Sequence, residues 1–437
     1  MAEGTALFWT AAGILIVTYV VIISDRINRA LIALLGACIM VIAGVLTQSQ
    51  AVTAVNFNAL GLLAGMMMIV GVARKSGLFA YVAILAAKLV RGSPAGLMVV
   101  LSLLTAVFSA LLDNVTTVLL VVPVTFVIAE ELELAVYPFL VTEIFASNIG
   151  GTATLIGDPP NILIGTAAHL SFNAFLVNLG PLAVALLALQ LIVNHVIWGI
   201  HLSASPQRRE RLMGLRPSAM IEDRWLLACS LTVITGVIAG LVLARRLHLE
   251  VATVALTGAG VLMLLETIPH HHRKHADLVA QAFAQVEWNT LFFFVGLFVI
   301  VGGIEHAGVL NWLAHALIQT THGDPFRTAT AILWGSAILS AIVDNIPFVT
   351  TMIPLIQHLE GALHGVHDLT PMWWALSLGA CLGGNGTLIG ASANLTVAGL
   401  AEKSGVHFSF MRFAATALPM MLAAIALSQL YLNWRYF

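Results

Sequence analysis

Read only for apolar and polar positions, the chain is a succession of apolar runs parted by short charged or Pro/Gly breaks, and the succession occurs twice. The first half predicts spans over 5–23, 30–48 and 57–90, the last punctuated by Arg74, Lys75 and Gly77. A pair of apolar arms over 95–129, an apolar stretch over 134–170 broken in its middle and a span over 173–200 complete it. A polar linker, 202–224, follows. The second half restarts with spans over 225–244, 248–267 and 288–320, paired arms over 328–358, a broken stretch over 371–402 and a last span over 408–433. Runs this long and this apolar are transmembrane helices rather than core helices of a soluble domain.

Register ties the halves together. SALLDNVTTVLLVVP, from Ser109, returns 231 residues later as SAIVDNIPFVTTMIP, from Ser340, and Gly65, Gly71 and Gly77 return at the same offset as Gly296, Gly302 and Gly308. Thr154, Leu155, Ile156, Gly157 and Asn161 return as Thr387, Leu388, Ile389, Gly390 and Asn394 at an offset of 233. Each half holds five crossings and one pair of arms, so the halves must be inverted with respect to each other.

The arms over 95–129 and 328–358 read as re-entrant hairpins with Asp113–Asn114 and Asp344–Asn345 at their tips. The arm 115–129 would rise about 22 Å as a helix, short of the roughly 30 Å of hydrocarbon. NIGGTATLIGDPPN (148–161) and GGNGTLIGASAN (383–394) carry too much glycine, and in the first case Pro159 and Pro160, to continue a helix. Each predicts an unwound joint between half-helices at the midplane. The expected fold class is an all-α polytopic membrane protein of two inverted repeats, 1–201 and 225–437, each with five transmembrane helices and a re-entrant hairpin.

Composition sharpens this. Of 437 residues, 59% are hydrophobic and 9% charged, and the mean hydropathy of +0.97 leaves no material for a water-facing surface. The first run lacks a basic leader and a cleavage site, which predicts a retained span. The alternation of sides gathers fifteen of the nineteen basic residues on one face, leaving Arg245, Arg246, Arg327 and Arg435 on the other. The basic face is expected to be cytoplasmic, with both termini periplasmic or extracellular. The first hairpin then opens from inside and the second from outside. Cys38, Cys229 and Cys381 fall in separate apolar runs and read as small buried hydrophobes rather than a disulfide or metal set. His270, His271, His272 and His275, interleaved with Arg273 and Lys274, read as a solvated basic loop rather than a divalent-metal site. No cofactor, metal or nucleic-acid partner is expected.

The chemistry lies where charge is costly. A carboxylate within an apolar run loses its hydration, so it persists only beside a wet cavity, in a pair, or with a proton. Asp113, Asp344 and Asp158 are candidates for proton or ion coupling, with Glu143 as a relay position on the helix before the first joint. The structural alternative is helix capping, a stronger rival for Asp158 and Glu143 than for the repeated tips. Asn114, Thr116, Thr117, Asn148, Gly151, Thr152, Thr154, Asn161, Asn345, Asn385, Thr387, Ser392 and Asn394 are the candidate substrate-binding positions, with backbone groups of the broken helices beside them. No Lys or Arg lies in these four loops, which argues for a neutral or weakly charged solute or a small cation. An aspartyl protease using Asp113 and Asp344 as a dyad would explain neither the repeated asparagines nor the second joint.

Together, DNVTTVLLVVP, EIFASNIGGTATLIGDPPNILIG and LGGNGTLIGASAN resemble the ion transporter superfamily, in particular the group of arsenite permeases, sodium/proton antiporters and the melanosomal P-protein. The likeness covers essentially the whole chain. It implies scaffold and transport domains, a homodimer and elevator-like alternating access. Members that carry dicarboxylates have Ser-Asn-Thr at the tips, whereas this chain has Asp-Asn, so it looks most like the P-protein-type branch, which includes bacterial arsenite efflux permeases. The resemblance implies a multi-pass protein of the bacterial inner membrane that exports arsenite or antimonite in exchange for protons. Alternatives are sodium/proton antiport and organic-anion carriage, and a soluble arsenite-stimulated ATPase on the linker is a candidate partner. No phosphate-binding loop is present in the chain itself, so the energy for transport is expected from an ion gradient or a partner, and as a carrier the chain is not expected to be an enzyme.

Overall fold

The computed structural model describes residues 2–24, 26–270, 274–359 and 368–437, and these form twenty-two α-helices and no strand. In the first half, α1 (Ala2–Ser24), α2 (Arg29–Ile42), α3 (Gln48–Ala54), α4 (Phe57–Arg74) and α5 (Leu78–Leu89) lead to the hairpin arms α6 (Pro94–Leu111) and α7 (Asn114–Glu131). Then come α8 (Tyr137–Thr152), α9 (Pro159–Ala167), α10 (Phe172–Asn178) and α11 (Gly180–Ile197), with α12 (Pro206–Gly214) in the linker. The second half repeats the plan: α13 (Arg224–Leu247), α14 (Val251–Thr267), α15 (His275–Ala284), α16 (Trp288–His306) and α17 (Val309–Thr321). Its arms are α18 (Pro325–Ile342) and α19 (Asn345–His358), followed by α20 (Thr370–Gly383), α21 (Ser392–Lys403) and α22 (Phe410–Tyr436).

Among the described residues, eight helices are long and apolar enough to cross a membrane: α1, α4, α6, α7, α11, α13, α16 and α22. Two of these, α6 and α7, are hairpin arms. The remaining six, the shorter α2 and α14, and the broken pairs α8–α9 and α20–α21 make five crossings per repeat.

Packing gives the direction of each repeat. A methyl group added at Gly65 on α4 would lie 2.7 Å from the Ala255 carbonyl carbon on α14, and one at Gly296 on α16 would lie 2.5 Å from that of Ala33 on α2. The contact is reciprocal, so α4 corresponds to α16 and α2 to α14, the signature of a two-fold. Asn58 and Lys75 on α4 bond Glu250 and Glu266 at the two ends of α14, so those helices run parallel. Ala33 and Met40 meet Gly296 and Gly303, so α2 and α16 run parallel as well. Gly71, near the end of α4, abuts Gln285, just before α16. Thus α2 starts where α14 ends, and equivalent helices point in opposite directions. The repeats are inverted.

The hairpins obey the same rule. Gly92, ahead of α6, packs on Arg209 and Leu212 of the linker, and Glu133, after α7, pairs with Arg208. Phe326, at the start of α18, stacks edge-on against Phe437 at the C-terminus. One hairpin therefore opens from the linker end of the molecule and the other from the end that holds both termini.

Several expected boundaries move. The span 30–48 stops at Ile42, because Gly44 takes a left-handed turn (φ 74°) and Thr47 with Gln50 forms a capping box that starts α3. The span 173–200 is two helices, and α9 turns through 116° into α10. The arm after Asp113 has 18 residues, about 27 Å, so its length does not distinguish a hairpin from a crossing. The position of its tip does, as described below. Cys38 is exposed rather than buried, unlike Cys229 and Cys381. Of the His-rich loop, His271, His272 and Arg273 lie outside the described residues. His270 and His275 are engaged by backbone carbonyls, and no group of three metal-ligating side chains occurs among the described residues.

The helices form two bodies. In one, α1, α2 and α4 pack with α13, α14 and α16; in the other, α6–α9 and α11 pack with α18–α22. The functional residues lie between them.

Candidate functional site

Unwinding a helix frees backbone carbonyls that need donors, and much of the polar sequence at the joints is used there. Asn161 Nδ2 donates to the carbonyls of Gly151, Thr152 and Thr154, and Asn394 Nδ2 to those of Gly384 and Thr387. Each joint is pinned to a hairpin: the Thr154 hydroxyl donates to Ala110 O and that of Thr387 to Ala341 O, both at 2.5 Å. Ser109 and Ser340 donate to Ser147 O and Ala380 O at 2.6 Å. Glycine permits this approach, since a Cβ at Gly157 would lie 2.6 Å from the Gly151 and Ser109 carbonyl oxygens, and one at Gly390 would lie 2.7 Å from those of Gly384 and Ser340. A hairpin tip therefore touches the middle of a broken crossing, which makes it re-entrant.

The two joints are bound to each other. Asn148 Nδ2 donates to Asn385 Oδ1 (2.9 Å) and Asn394 Oδ1 (3.0 Å), while its own Oδ1 accepts from Asn114 Nδ2 (3.1 Å). All four side chains are buried.

Against this amide cluster stand the acids. Asp113 caps α7 through Oδ1 to the Thr116 amide (2.8 Å), and Asp344 caps α19 through Oδ1 to the Ile346 amide (3.1 Å). Capping uses one oxygen of each. The other oxygen of Asp344 accepts from Ser392 Oγ (2.7 Å) and from Arg29 Nη1 (2.8 Å). Asp158 precedes α9 without capping it. The Cys381 thiol and the Asn345 amide face its carboxylate without well-formed hydrogen bonds, it is 1% exposed, and it lies within electrostatic reach of both Asp344 and Asp113. Glu143 is apart, fully buried on α8 with one oxygen 2.5 Å from the Thr125 hydroxyl.

A cavity of about 500 Å³ opens between the two bodies at the end of the molecule that carries Arg26 and the linker. Asp113, Asp344 and Ser392 line it, with Val115, Leu119 and Pro159 from the hairpin body and Arg26, Arg29, Met67, Glu287, Asn289 and Thr290 from the other. Of the remaining positions singled out in the sequence, Asn114, Asn148, Asn161, Asn345, Asn385, Asn394, Thr117, Thr152, Thr154, Thr387 and Gly151 are buried or turned into the joints behind this cavity. Thr116 faces a smaller one beside Glu287. Asn345 Nδ2, Asn114 Oδ1 and Thr117 Oγ1 are buried without partners.

One expectation is corrected. The four loops contain no Lys or Arg, yet the site does not lack fixed cations, because the start of α2 brings Arg29 to a hairpin tip and Arg26 to the cavity wall. Glu287 was also not anticipated. It stands one residue before the α16 span, where burial and the facing Asp113 hold its carboxyl above the usual carboxylate range, opposed by the Thr290 hydroxyl. The residue equivalent to it is Asn56, and this polar pair at the mouths of related spans is the signal that could have marked the position.

The family profile described as CitMHS, citrate transporter, matches residues 19–379. An uncharacterized transporter of Mycobacterium tuberculosis is 42% identical over 431 residues, 98% of each chain. The P protein of Sus scrofa is 33% identical over 503 residues, covering 97% of this chain and 59% of that one. The solved structure of the Alcanivorax borkumensis YdaH transporter, described as having an unusual topology, resembles this fold with a TM-score of 0.60 at 16% identity, over 87% of this chain and 86% of that chain.

Proposed function

Because this chain belongs to the CitMHS citrate-transporter family, whose members and relatives are membrane transporters rather than enzymes, we propose that it is a proton-coupled secondary carrier of a small uncharged hydroxylated solute. Arsenite and antimonite are the first solutes to test, exported from a bacterial cytoplasm in exchange for protons. The observation that carries this reading is the gathering of Asp113, Asp158 and Asp344 at the tips and first joint, with only Asp344 ion-paired. Carboxylates that alternate between charged and protonated states can move protons. A multiply charged anion would meet more acidic than basic groups in the cavity wall. Arsenous acid is neutral at pH 7 and offers three hydroxyls to Ser392, Asn289, Thr290 and the carboxylates. Glu143 is proposed as a relay position. By the positive-inside rule the linker end is cytoplasmic, the cavity is open inward, and both termini are outside.

A second reading, carriage of an organic anion, is favoured by Arg26 and Arg29 in the same cavity and by the family's description. Reconstitution into liposomes with an internal pH dye separates the readings. Arsenite-dependent proton flux, lost in Asp113→Asn and Asp344→Asn, is expected. Proton flux driven by citrate instead would replace it with the second reading, and sodium-driven flux indifferent to arsenite would make the protein an antiporter.

A further inference from the structure

Among the described residues, three ion pairs occur. Lys75–Glu266 lies within the α4–α14 body, and Arg208–Glu133 ties the linker to the end of α7. Arg29–Asp344 is the one that joins the two bodies, reaching from the first turn of α2 to the tip between α18 and α19.

We propose that Arg29 is a positioning residue that reads the charge of Asp344. It holds the hairpin body in the orientation open at the linker end while Asp344 is ionised, and releases it when a proton or a bound solute neutralises that carboxylate. The proton half of this statement rests on the coupling role proposed above; the holding half does not.

The geometry singles out this pair. Asp344 Oδ1 is committed to the α19 cap, so Oδ2 alone, 2.8 Å from Arg29 and 2.7 Å from Ser392, reports its charge to the other body. The other charged groups about it are Arg26 ahead of α2, Asp113 at the start of α7, Asp158 before α9 and Glu287 before α16. Arg29 is the only one among these shown to contact it.

The repeats are unequal at this point. Ala33 corresponds to Ala255, so Arg29 corresponds to Val251, while Asp344 corresponds to Asp113. An inverted repeat generates its second orientation by exchanging the roles of its halves. There Asp113 would approach the start of α14 and meet Val251, which offers no charge. This arginine–aspartate pair therefore has no counterpart at Val251, and it biases the carrier toward the orientation in which it forms.

The test reads orientation without any solute. In a chain freed of Cys38, Cys229 and Cys381, Leu119→Cys places a thiol in the cavity wall and Ser218→Cys places an exposed reference thiol on the linker. Labelling by a membrane-impermeant maleimide in vesicles exposing the linker end is expressed as the ratio of the two, which cancels the pH dependence of the reagent. The ratio is expected to fall roughly fivefold in Arg29→Gln at about pH 8, the equivalent of one partly exposed ion pair. Arg29→Lys is expected to retain it. In the parent chain the ratio should fall with acid, and Asp344→Asn should hold the low value at every pH.

A parent-like ratio with a parent-like pH response in Arg29→Gln overturns the proposal. So does a parent-like pH response in Asp344→Asn, which tests the same pair from its other side should the arginine variant fail to fold. A pH-independent parent chain whose ratio nevertheless drops in Arg29→Gln supports the holding role and refutes proton uptake at Asp344, so the two readings fail separately.

Discussion

Replacing Asn148 with alanine should show how much of this molecule is held by one amide. The side chain is fully buried, donates to Asn385 and Asn394 and accepts from Asn114. Its removal strands a donor on Asn114 and acceptors on Asn385 and Asn394. Interhelical hydrogen bonds in membrane proteins average only about 0.6 kcal/mol, so three give a lower figure of about 2 kcal/mol. Leaving buried polar groups unpaired costs about 1–3 kcal/mol each, so three stranded groups raise the upper expectation to about 3–9 kcal/mol. At about 1 °C per kcal/mol for a chain of 437 residues, this should appear in detergent as a fall in Tm of about 2–9 °C, measured by the decay of the monodisperse size-exclusion peak after heating. Asn148→Cys, which copies the residue at the equivalent position, Cys381, should lose nearly as much. Asn173→Ala, an exposed bond to the Val242 carbonyl, serves as control and should move stability by less than about 0.5 kcal/mol. A Tm for Asn148→Ala indistinguishable from that of Asn173→Ala would refute the view that this cluster binds the two joints together.

Three further outcomes are expected. Gly157→Ala and Gly390→Ala each drive a methyl against two carbonyl oxygens at 2.6 and 2.7 Å, so each should cost about 1–3 kcal/mol and slow transport; unchanged Tm in both would mean that the joints have slack. Asp158→Asn keeps shape while removing a buried carboxylate that no ion pair or well-formed hydrogen bond holds, so Tm should hold or rise while solute flux loses its dependence on a pH gradient in liposomes; retained pH coupling would exclude Asp158 from the proton path. Glu287 binds its proton more tightly folded than unfolded, so stability should decline as pH rises from the ordinary carboxylate range through its raised one. Glu287→Gln should make that decline shallower in a Tm-against-pH series, and an unchanged slope would refute the assignment.

What the chain disclosed in advance depended on how local each signal was. The tips and joints were legible because Asp-Asn within apolar runs, and Pro and Gly clusters inside crossings, are each improbable unless the backbone does something specific there, and both recur at a fixed register. The cavity was not legible. Arg29 at the mouth of a span has the sequence appearance of an interfacial anchor, and only the pairing of α2 with α16 carries it to the second tip. Asn161, Asn394, Thr154 and Thr387 were read as facing a solute, but unwinding frees more carbonyls than the joints' own amides can satisfy, and these side chains are consumed in satisfying them. The break at Gly44 was missed because a single glycine in an apolar run is usually tolerated.

The crossed pairing of α2 with α16 and of α4 with α14 carries a consequence for biogenesis. When the fourth helix is completed at Arg74, the residues that will cover Gly65 and Ala33, Ala255 and Gly296, still lie 181 and 222 residues further along the chain. Neither repeat can close its own core, so insertion and assembly are separate events, and the early helices must wait in lipid, shielded by it or by an insertase, until the later ones arrive. Severing the chain within the linker should therefore yield fragments that are each retained in the bilayer yet acquire protease resistance only when both are made in the same cell.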